Sequence, residues 1–306
     1  MRQSENRVDI RGKIKEIDLV EDVERGQIRG KVTMLVEQSI EGMMETDEIV
    51  VSAFANKITK AGKENIQYTQ LLNLMKNAKS IMASSESEAS VYDVNGILDE
   101  NTFADRSGND VTYTFVRGSF FNETRPNFVN ESYARFKQEI MIVSMEDEVD
   151  KDENLTGRLV LKGAVMNYAG PCSVTYIVES KPAIEFIGSN WNVGDTVLVQ
   201  GLLRGKAELV ENTKEDMSMG FGASFSQSYV KTVKENVITA GSEAYPEERA
   251  FNPQEVMEAR AEKKKKYEEK KAAQASAPAA TASQGTKVST GPVHQNMGFS
   301  GINRGF

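Results

Sequence analysis

The chain has 306 residues, and its 45 acidic and 37 basic side chains give a formal net charge of −8. At 39% hydrophobic and 27% charged residues, its composition is that of a globular protein of about two domains. The single cysteine, Cys172, excludes an internal disulfide and a cysteine-based zinc site, and the single histidine, His294, excludes histidine triads.

The charge is unevenly distributed along the chain. Residues 251–306 contain 9 basic and 5 acidic side chains, which leaves 28 basic and 40 acidic for residues 1–250. The body therefore carries −12 and the C-terminal part +4. A body this acidic argues against a broad electrostatic surface for nucleic acid, so any polyanion site must be local.

The first part of the chain has the period-two pattern of short β-strands. Strands are predicted at residues 7–15, 27–38, 47–56, about 91–98 and 111–121. A helix is predicted at residues 67–82, where Leu71, Leu74 and Ala78 fall on one face. Three strands, a helix and two strands is the element order of a five-stranded Greek-key barrel of the OB type.

A similar pattern follows from Leu155 onward. Strand-like segments lie at residues 155–168, 173–180, 193–205 and 227–238, with a short segment at 182–187. The sequence therefore predicts a mainly β protein with two tandem OB-like five-stranded β-barrels. Residues 1–125 are the predicted first barrel and residues 126–245 the second.

Residues 246–306 have a different composition, which predicts a charged helix and a disordered C-terminal tail. Asn252 and Pro253 are typical of a helix start, and opposite charges four residues apart are expected to hold this helix to about Lys271. Residues 272–290 are rich in Ala, Ser, Thr and Pro and are predicted to be disordered. The tail ends in an aromatic tip.

The segment from Trp191 to Arg204, with sequence WNVGDTVLVQGLLR, resembles bacterial and phage single-stranded DNA-binding proteins of the OB fold. Members of that family commonly have a Gly-Asp turn, an alternating apolar strand, a glycine, a leucine and a basic residue. The resemblance covers about residues 155–240, whereas the first unit resembles the family in layout alone. It implies an OB fold and single-stranded DNA as the partner.

Binding of a single strand without sequence preference requires aromatic rings that stack on bases and basic side chains that neutralise phosphates. Aromatic candidates and their basic neighbours are Phe115, Arg117, Phe120, Arg135, Phe136, Lys137, Tyr176 and Trp191. A place in the hydrophobic core is the alternative for Phe115, Phe136 and Trp191. Phe221 and Phe225 lie between the last two predicted strands, where OB folds carry a ligand-binding loop, although an ordinary mobile loop is equally compatible.

Basic residues on the polar faces of the predicted strands form the second part of the expected site. They are Arg11, Lys13, Lys15, Arg29, Lys31, Arg158, Lys162 and Arg204. The acids instead concentrate in runs such as 45–48, 86–88 and 146–153. This segregation predicts a narrow basic groove on an acidic protein, whereas each basic residue taken singly is also compatible with a solvated face.

Enzymatic motifs are absent from the sequence. There is no GxxxxGK[ST] loop and no GxGxxG between a strand and a helix, so we predict no catalytic residues, no cofactor and no metal site. The acidic run at residues 146–150 is the one segment that in principle suits Mg²⁺, but such loops are more often solvated surface.

These observations predict a non-enzymatic protein that coats and protects single-stranded DNA during phage replication or recombination. We expect a cytoplasmic location, in the host if the protein is phage-encoded, and no membrane contact. Phe299, Ile302 and Phe306 in the tip are predicted to dock a replication or recombination protein. The main alternative is a non-enzymatic β-barrel scaffold, adaptor or phage structural assembly protein. A metal-dependent nuclease is a third reading, and a homo-oligomer is compatible with the sequence.

Overall fold

Ten β-strands and three α-helices make up the part of the chain that the computed structural model describes: residues 2–40, 42–105, 107–211 and 228–276, without the side chains of 206–232 and 274–276. The strands are β1 (Asn6–Asp22), β2 (Gln27–Ile40), β3 (Met43–Asn56), β4 (Val91–Ala104), β5 (Asp110–Glu123), β6 (Tyr133–Val149), β7 (Leu155–Asn167), β8 (Gly170–Val178), β9 (Thr196–Glu211) and β10 (Ser228–Gly241). The helices are α1 (Ile66–Asn77), α2 (Lys181–Asn190) and α3 (Pro253–Ser276), with a 3-10 turn at Pro126–Phe128. The prediction of a mainly β fold is confirmed.

The first five strands close into a barrel, which we call barrel 1. β1 pairs antiparallel with both β2 and β4, β2 pairs with β3, and β4 pairs with β5. A parallel pairing of β3 with β5 at Val51–Val116 completes the ring. With α1 between the third and fourth strands, this is the OB arrangement.

The next five strands repeat the same arrangement in barrel 2. β6 pairs antiparallel with β7 and β9, β7 pairs with β8, and β9 pairs with β10. A parallel pairing of β8 with β10 at Ile177–Val237 closes the ring, and α2 lies between the third and fourth strands.

Period-two alternation places the apolar side chains of each strand inside its barrel. In β1, Val8, Ile10 and Ile14 are fully buried, as the sequence pattern predicts. Helix α1 packs Leu71 and Leu74 into the core of barrel 1.

Helix α1 ends at Asn77, five residues before the predicted end. The backbone N–H groups of Ile81 and Met82 donate to the carbonyls of Ile14 and Lys15 on β1, at 2.9 and 3.1 Å. The chain therefore leaves the helix because β1 supplies acceptors for its backbone donors.

The two barrels are joined into one continuous sheet by antiparallel pairing of β1 with β6, from Asn6–Gln138 to Arg11–Tyr133. Buried polar groups support this seam: the Gln138 amide donates to Asn6 Oδ1 at 2.8 Å, and the Tyr176 hydroxyl donates to Gln138 Oε1 at 2.6 Å. Residues Met1–Lys263 consequently form one compact unit. The ten strands lie within the predicted domain ranges 1–125 and 126–245, while independent folding of each range stays a prediction.

A second junction lies where the β2–β3 hairpin contacts β9. The Gln38 amide donates to Asp47 Oδ2 and to the Leu203 carbonyl, both at 2.9 Å, and the Gly205 N–H donates to Asp47 Oδ1 at 2.9 Å. A Cβ atom on Gly205 would lie 2.1 Å from the Glu48 carbonyl oxygen. Because only glycine permits this approach, the backbones of the two barrels are in direct contact here.

Helix α3 begins at Pro253 with Asn252 as its cap, as predicted, since Asn252 Oδ1 accepts from the Gln254 N–H at 2.9 Å. Its first turns are packed, contrary to the expectation of a fully solvated helix: Val256 is buried with Phe251, Met141 and Met166. From Lys264 the chain belongs to a second unit, whose described part is helical to Ser276. No helix in the described ranges is long and apolar enough to span a membrane.

Replacing Gly205 by alanine is expected to lower the free energy of unfolding by about 2 kcal/mol, because the new methyl group forces the barrel backbones apart. Chemical denaturation measures the effect. Gly188→Ala in α2 is the matched control, because a Cβ at Gly188 meets nothing within 4 Å and alanine favours helix. Equal effects of the two substitutions would contradict the close contact at Gly205.

Candidate nucleic-acid interface

Three aromatic side chains line one face of the β4–β5 hairpin and form what we call the aromatic ladder. The Phe103 and Tyr113 rings are 5.9 Å apart at an interplanar angle of 75°, and the Tyr113 and Phe115 rings are 5.7 Å apart at 44°. Phe103 and Tyr113 are 44% and 45% exposed. In an OB fold this hairpin carries the loop between strands 4 and 5, one of the ligand-binding loops.

The ladder continues onto the outer surface of β5, β3 and β2. Arg117 occupies the next outward position on β5 after Phe115. It lies opposite Ser52 of β3. Ser52 in turn lies opposite Lys31 of β2. One pleat further along, Arg29 lies opposite Phe54, which is 52% exposed. We call this surface the basic–aromatic face; it comprises the ladder with Arg29, Lys31, Phe54, Arg117 and the 42% exposed Phe120.

Most of the predicted basic residues are already neutralised by acids. Ion pairs join Arg11 to Asp93 (2.6 Å) and Glu131 (3.0 Å), Lys13 to Glu86 (2.7 Å), Lys15 to Glu48, Arg117 to Asp99 (2.8 Å), Lys137 to Glu5 (2.8 Å) and Lys162 to Glu146 (3.9 Å). Arg29, Lys31 and Arg135 are exposed, and none forms an ion pair with a side chain that the structure describes. Arg135 lies over the Tyr133 ring, on the surface of β6. Among the side chains that the structure describes, Arg29 and Lys31 are therefore the cations of the basic–aromatic face without an ion pair, and we call them its unpaired cations.

Arg158 and Arg204 occupy an ion-pair network between the barrels, which corrects their predicted exposure on a groove. Arg204 is 5% exposed and contacts Glu45 at 2.5 Å and Glu179 at 3.2 Å. Arg158 contacts Glu148 at 2.6 Å and also pairs with Glu179 and Glu235. Hydrogen bonding from Arg158 lowers the pKa of Glu148. Both guanidinium groups of the network therefore face carboxylates.

Phe136, Tyr176 and Trp191 are core residues, so the expectation of exposed rings at these positions is wrong. Phe136 and Tyr176 pack together with ring centroids 5.6 Å apart, and their exposed fractions are 2% and 0%. Trp191 is 3% exposed, and its indole N–H donates to the Ser242 carbonyl at 2.9 Å. Glycines make the room for the rings: a Cβ on Gly201 would meet Phe136 at 2.6 Å.

Sequence reasoning missed Phe54, Phe103 and Tyr113. The period-two rule already gave the signal for two of them, because Phe54 alternates with inward Ala53 and Ala55, and Tyr113 shares the face of Phe115. The predicted residues Phe221, Phe225, Phe299, Ile302 and Phe306 lie outside the described residues.

The described side chains contain no arrangement typical of catalysis by metal or thiol. No group of three or more His, Cys, Asp or Glu residues is placed to hold a metal ion in these ranges. Cys172 is fully buried, and burial raises the pKa of its thiol.

Two closed five-stranded barrels with the same strand order, joined edge to edge, define a tandem OB-fold protein. The chain belongs to the YorF family, whose model matches residues 4–273. No curated protein matches the sequence.

Two solved structures share the fold. A deletion mutant of the single-stranded DNA-binding protein from Thermus aquaticus has 11% identity and a TM-score of 0.51, covering 81% of this chain and 100% of that chain. The wild-type Thermus aquaticus protein has 9% identity and a TM-score of 0.50, with coverages of 80% and 95%. At these identities the likeness concerns the fold.

Arg204→Ala is expected to lower the free energy of unfolding by about 3 kcal/mol, because it leaves Glu45 and Glu179 facing each other without their shared cation. Lys162→Ala removes the exposed ion pair of Lys162 with Glu146, whose nitrogen and oxygen are 3.9 Å apart. This variant is expected to change the free energy of unfolding by less than about 0.5 kcal/mol. Urea denaturation of both variants provides the comparison. If Arg204→Ala lowers the free energy of unfolding by no more than Lys162→Ala does, the network does not stabilise the barrels.

Proposed function

We propose that this protein binds single-stranded DNA on the basic–aromatic face and protects it during phage DNA replication or recombination. The observation that carries the proposal is the aromatic ladder, Phe103, Tyr113 and Phe115, which lies beside the unpaired cations Arg29 and Lys31. Surface aromatics are normally dispersed, and a run of contacting rings, of which Phe103 and Tyr113 are exposed and Phe115 is half-buried, supplies faces on which successive bases stack.

The position of this face on the barrel supports the same conclusion. OB folds bind oligonucleotides across their second and third strands and through the loops between strands 1–2 and 4–5. In barrel 1 those elements are β2, β3 and the β4–β5 hairpin, which carry Arg29, Lys31, Phe54 and the ladder. The corresponding surface of barrel 2, on β7 and β8, has Lys162 and Thr175 outward but no outward aromatic within these two strands.

Stacking is expected to supply most of the affinity. Each base stacked on an aromatic ring contributes about 1–3 kcal/mol, while among the described side chains of this face only Arg29 and Lys31 are without an ion pair and placed to neutralise phosphates. Two neutralised phosphates predict a log–log salt dependence with a slope of about −1.4 for single strands. Weak salt dependence is the expected signature of an acidic protein that binds a polyanion.

The proposed activity is protective and involves no bond making or breaking. The Thermus aquaticus proteins that share the fold are named as single-stranded DNA-binding proteins, which supports the assignment.

We also propose a cytoplasmic location and a docking role for Phe299, Ile302 and Phe306. Deleting residues 295–306 tests that docking role, because it is expected to leave DNA affinity unchanged while reducing recruitment of a replication or recombination protein.

A mobility shift with labelled oligo-dT at low and moderate salt tests the function directly. We expect a complex at micromolar protein, and intact DNA after incubation with Mg²⁺. Absence of a complex at low salt would contradict the proposal and favour the scaffold or adaptor alternative. Loss of the oligonucleotide in Mg²⁺ would instead support a nuclease.

The double substitution of Phe103 and Tyr113 by alanine is expected to weaken oligo-dT binding at least tenfold, because two stacking rings are removed at about 1–3 kcal/mol each. Fluorescence anisotropy with labelled oligo-dT measures the change. Tyr168→Ala is the matched control, since Tyr168 is 86% exposed in the β7–β8 turn of barrel 2 and belongs neither to the ladder nor to the basic–aromatic face. If Tyr168→Ala weakens binding as much as the double variant, the ladder is not the binding surface.

A further inference from the structure

The aromatic ladder lies on a part of the β4–β5 hairpin that extends beyond barrel 1. The pairing of β4 with β1 ends at Gly96, and β5 pairs with β3 from Val116 onward. Residues 99–104 and 110–115 therefore pair with each other and with no third strand in the registers that the structure describes. An isolated two-stranded hairpin is marginally stable in water, so this segment, which we call the ladder hairpin, needs support from outside barrel 1.

Both strands of the ladder hairpin contact the backbone of Ser173 on β8 of barrel 2. The Ser173 N–H donates to Glu100 Oε2 at 2.6 Å, and the Thr114 hydroxyl donates to the Ser173 carbonyl at 3.2 Å. Glu100 and Thr114 lie directly opposite each other in the hairpin. Beside this contact, a cleft of about 430 Å³ lies between Thr112 of the hairpin and Thr175 of β8. The hairpin therefore has room to tilt if the contact at Ser173 is lost.

Helix α3 holds the same contact from its other side. Lys263 Nζ donates to Glu100 Oε1 at 2.7 Å and to the Pro171 carbonyl at 2.8 Å. The Arg260 guanidinium donates to the Ser173 hydroxyl at 3.1 Å. Because the Glu100 side chain is only 11% exposed, its negative charge depends on the ammonium group of Lys263 for compensation.

The start of α3 is itself fixed to barrel 2. Val256 is fully buried with Met141 of β6 and Met166 of β7. Arg260 and Lys263 follow Val256 by four and seven residues, so all three side chains lie on one face of the helix. This anchoring fixes the position of the Lys263 ammonium group, and residues 253–263 form a brace between barrel 2 and the ladder hairpin.

We propose that Lys263 is a positioning residue for single-stranded DNA binding, because through Glu100 it holds the ladder hairpin in the orientation in which the aromatic ladder stacks on bases. Rings that are held in place before binding lose little freedom when a strand arrives, whereas a tilting hairpin must first be ordered. The inference rests on the proposed function and extends it. It makes the beginning of α3 a determinant of affinity although Lys263 contacts no nucleotide.

The test compares the full-length protein with its Lys263→Met variant by fluorescence anisotropy with labelled oligo-dT. Methionine keeps most of the unbranched stem and removes the ammonium group. We expect binding to weaken about fivefold, because the competent orientation of the hairpin is less populated. The salt slope is expected to stay unchanged, since no phosphate contact is lost. A slope lowered by about 0.7 would show a direct phosphate contact and overturn the positioning role.

Lys264→Met is the matched control, because it removes the same charge from the next position of α3. Lys264 is 78% exposed and pairs with Glu268 of the same helix at 4.0 Å. We expect this variant to bind oligo-dT nearly as the wild type does. Equal weakening by Lys263→Met and Lys264→Met would show that the charge of the helix, rather than the contact with Glu100, sets the affinity.

Two double-mutant comparisons separate positioning from a general structural effect. Glu100→Gln keeps an acceptor for the Ser173 N–H but loses the charge, so it is expected to weaken binding as Lys263→Met does and to be non-additive with it. In the Phe103→Ala/Tyr113→Ala background, Lys263→Met is expected to cause no further loss, because the ladder it positions is gone. A further fivefold loss there would overturn the proposal.

Hydrogen exchange of the free protein measures the hairpin directly. Lys263→Met is expected to speed amide exchange in residues 99–115 and to leave residues 27–56 unchanged. Unchanged exchange in the ladder hairpin, or faster exchange throughout barrel 1, would contradict a local brace. If the wild type binds no oligo-dT, the proposed function fails and this inference with it. If the wild type binds and Lys263→Met binds equally well, only this inference fails.

Discussion

The pairing of β1 with strands of both barrels is the constraint on which the rest of the structure depends. Residues 8–11 have neighbours on both edges, with β4 of their own barrel on one side and β6 of barrel 2 on the other. The same strand continues to Asp22 along β2. Because a strand edge that is fully hydrogen-bonded cannot slide without losing many bonds at once, the two barrels have one fixed relative orientation.

This orientation explains how a protein with an acidic body keeps a small basic surface. The ion-pair network between the barrels gathers carboxylates from β3, β6 and β10, together with Glu179 just after β8, around Arg158 and Arg204, so these four acids face cations within the protein. Other acids neutralise the basic residues of β1. On the β3 side, Phe54 lies opposite Arg29 and Ser52 lies opposite Lys31; on the β1 side, Val20 lies opposite Arg29 and Asp18 opposite Lys31, and no ion pair to either cation forms among the described side chains. The pattern of pairs therefore matters more for anion binding than the net charge does.

Much of the fold could be predicted from the sequence because the alternation of apolar and polar residues that identifies a strand is local in the chain. Alternation identified the strands of barrel 1, and the order of three strands, a helix and two strands identified the OB type there. For barrel 2 it identified four strand-like segments from Leu155 onward, whereas strand β6 and helix α2 were not predicted. The burial of Tyr176 was not predictable in this way, since its hydroxyl depends on the Gln138 amide of another strand. The burial of Phe136, which the sequence left as an alternative, depends on Gly201 of a distant strand. Arg204 likewise finds Glu45 across 159 residues of chain. Contacts between barrels follow from packing, which no single-strand pattern encodes.

The fixed seam also determines which molecule must change shape when a complex forms. The proposed binding surface is held by continuous sheet and by backbone contact at Gly205, so the protein contributes little adjustment and the strand supplies nearly all of it. A flexible, weakly stacked strand such as poly-dT adapts at low cost, whereas a purine strand must first lose its own base stacking. A rigid protein surface can thus discriminate between base compositions without a hydrogen bond to any base.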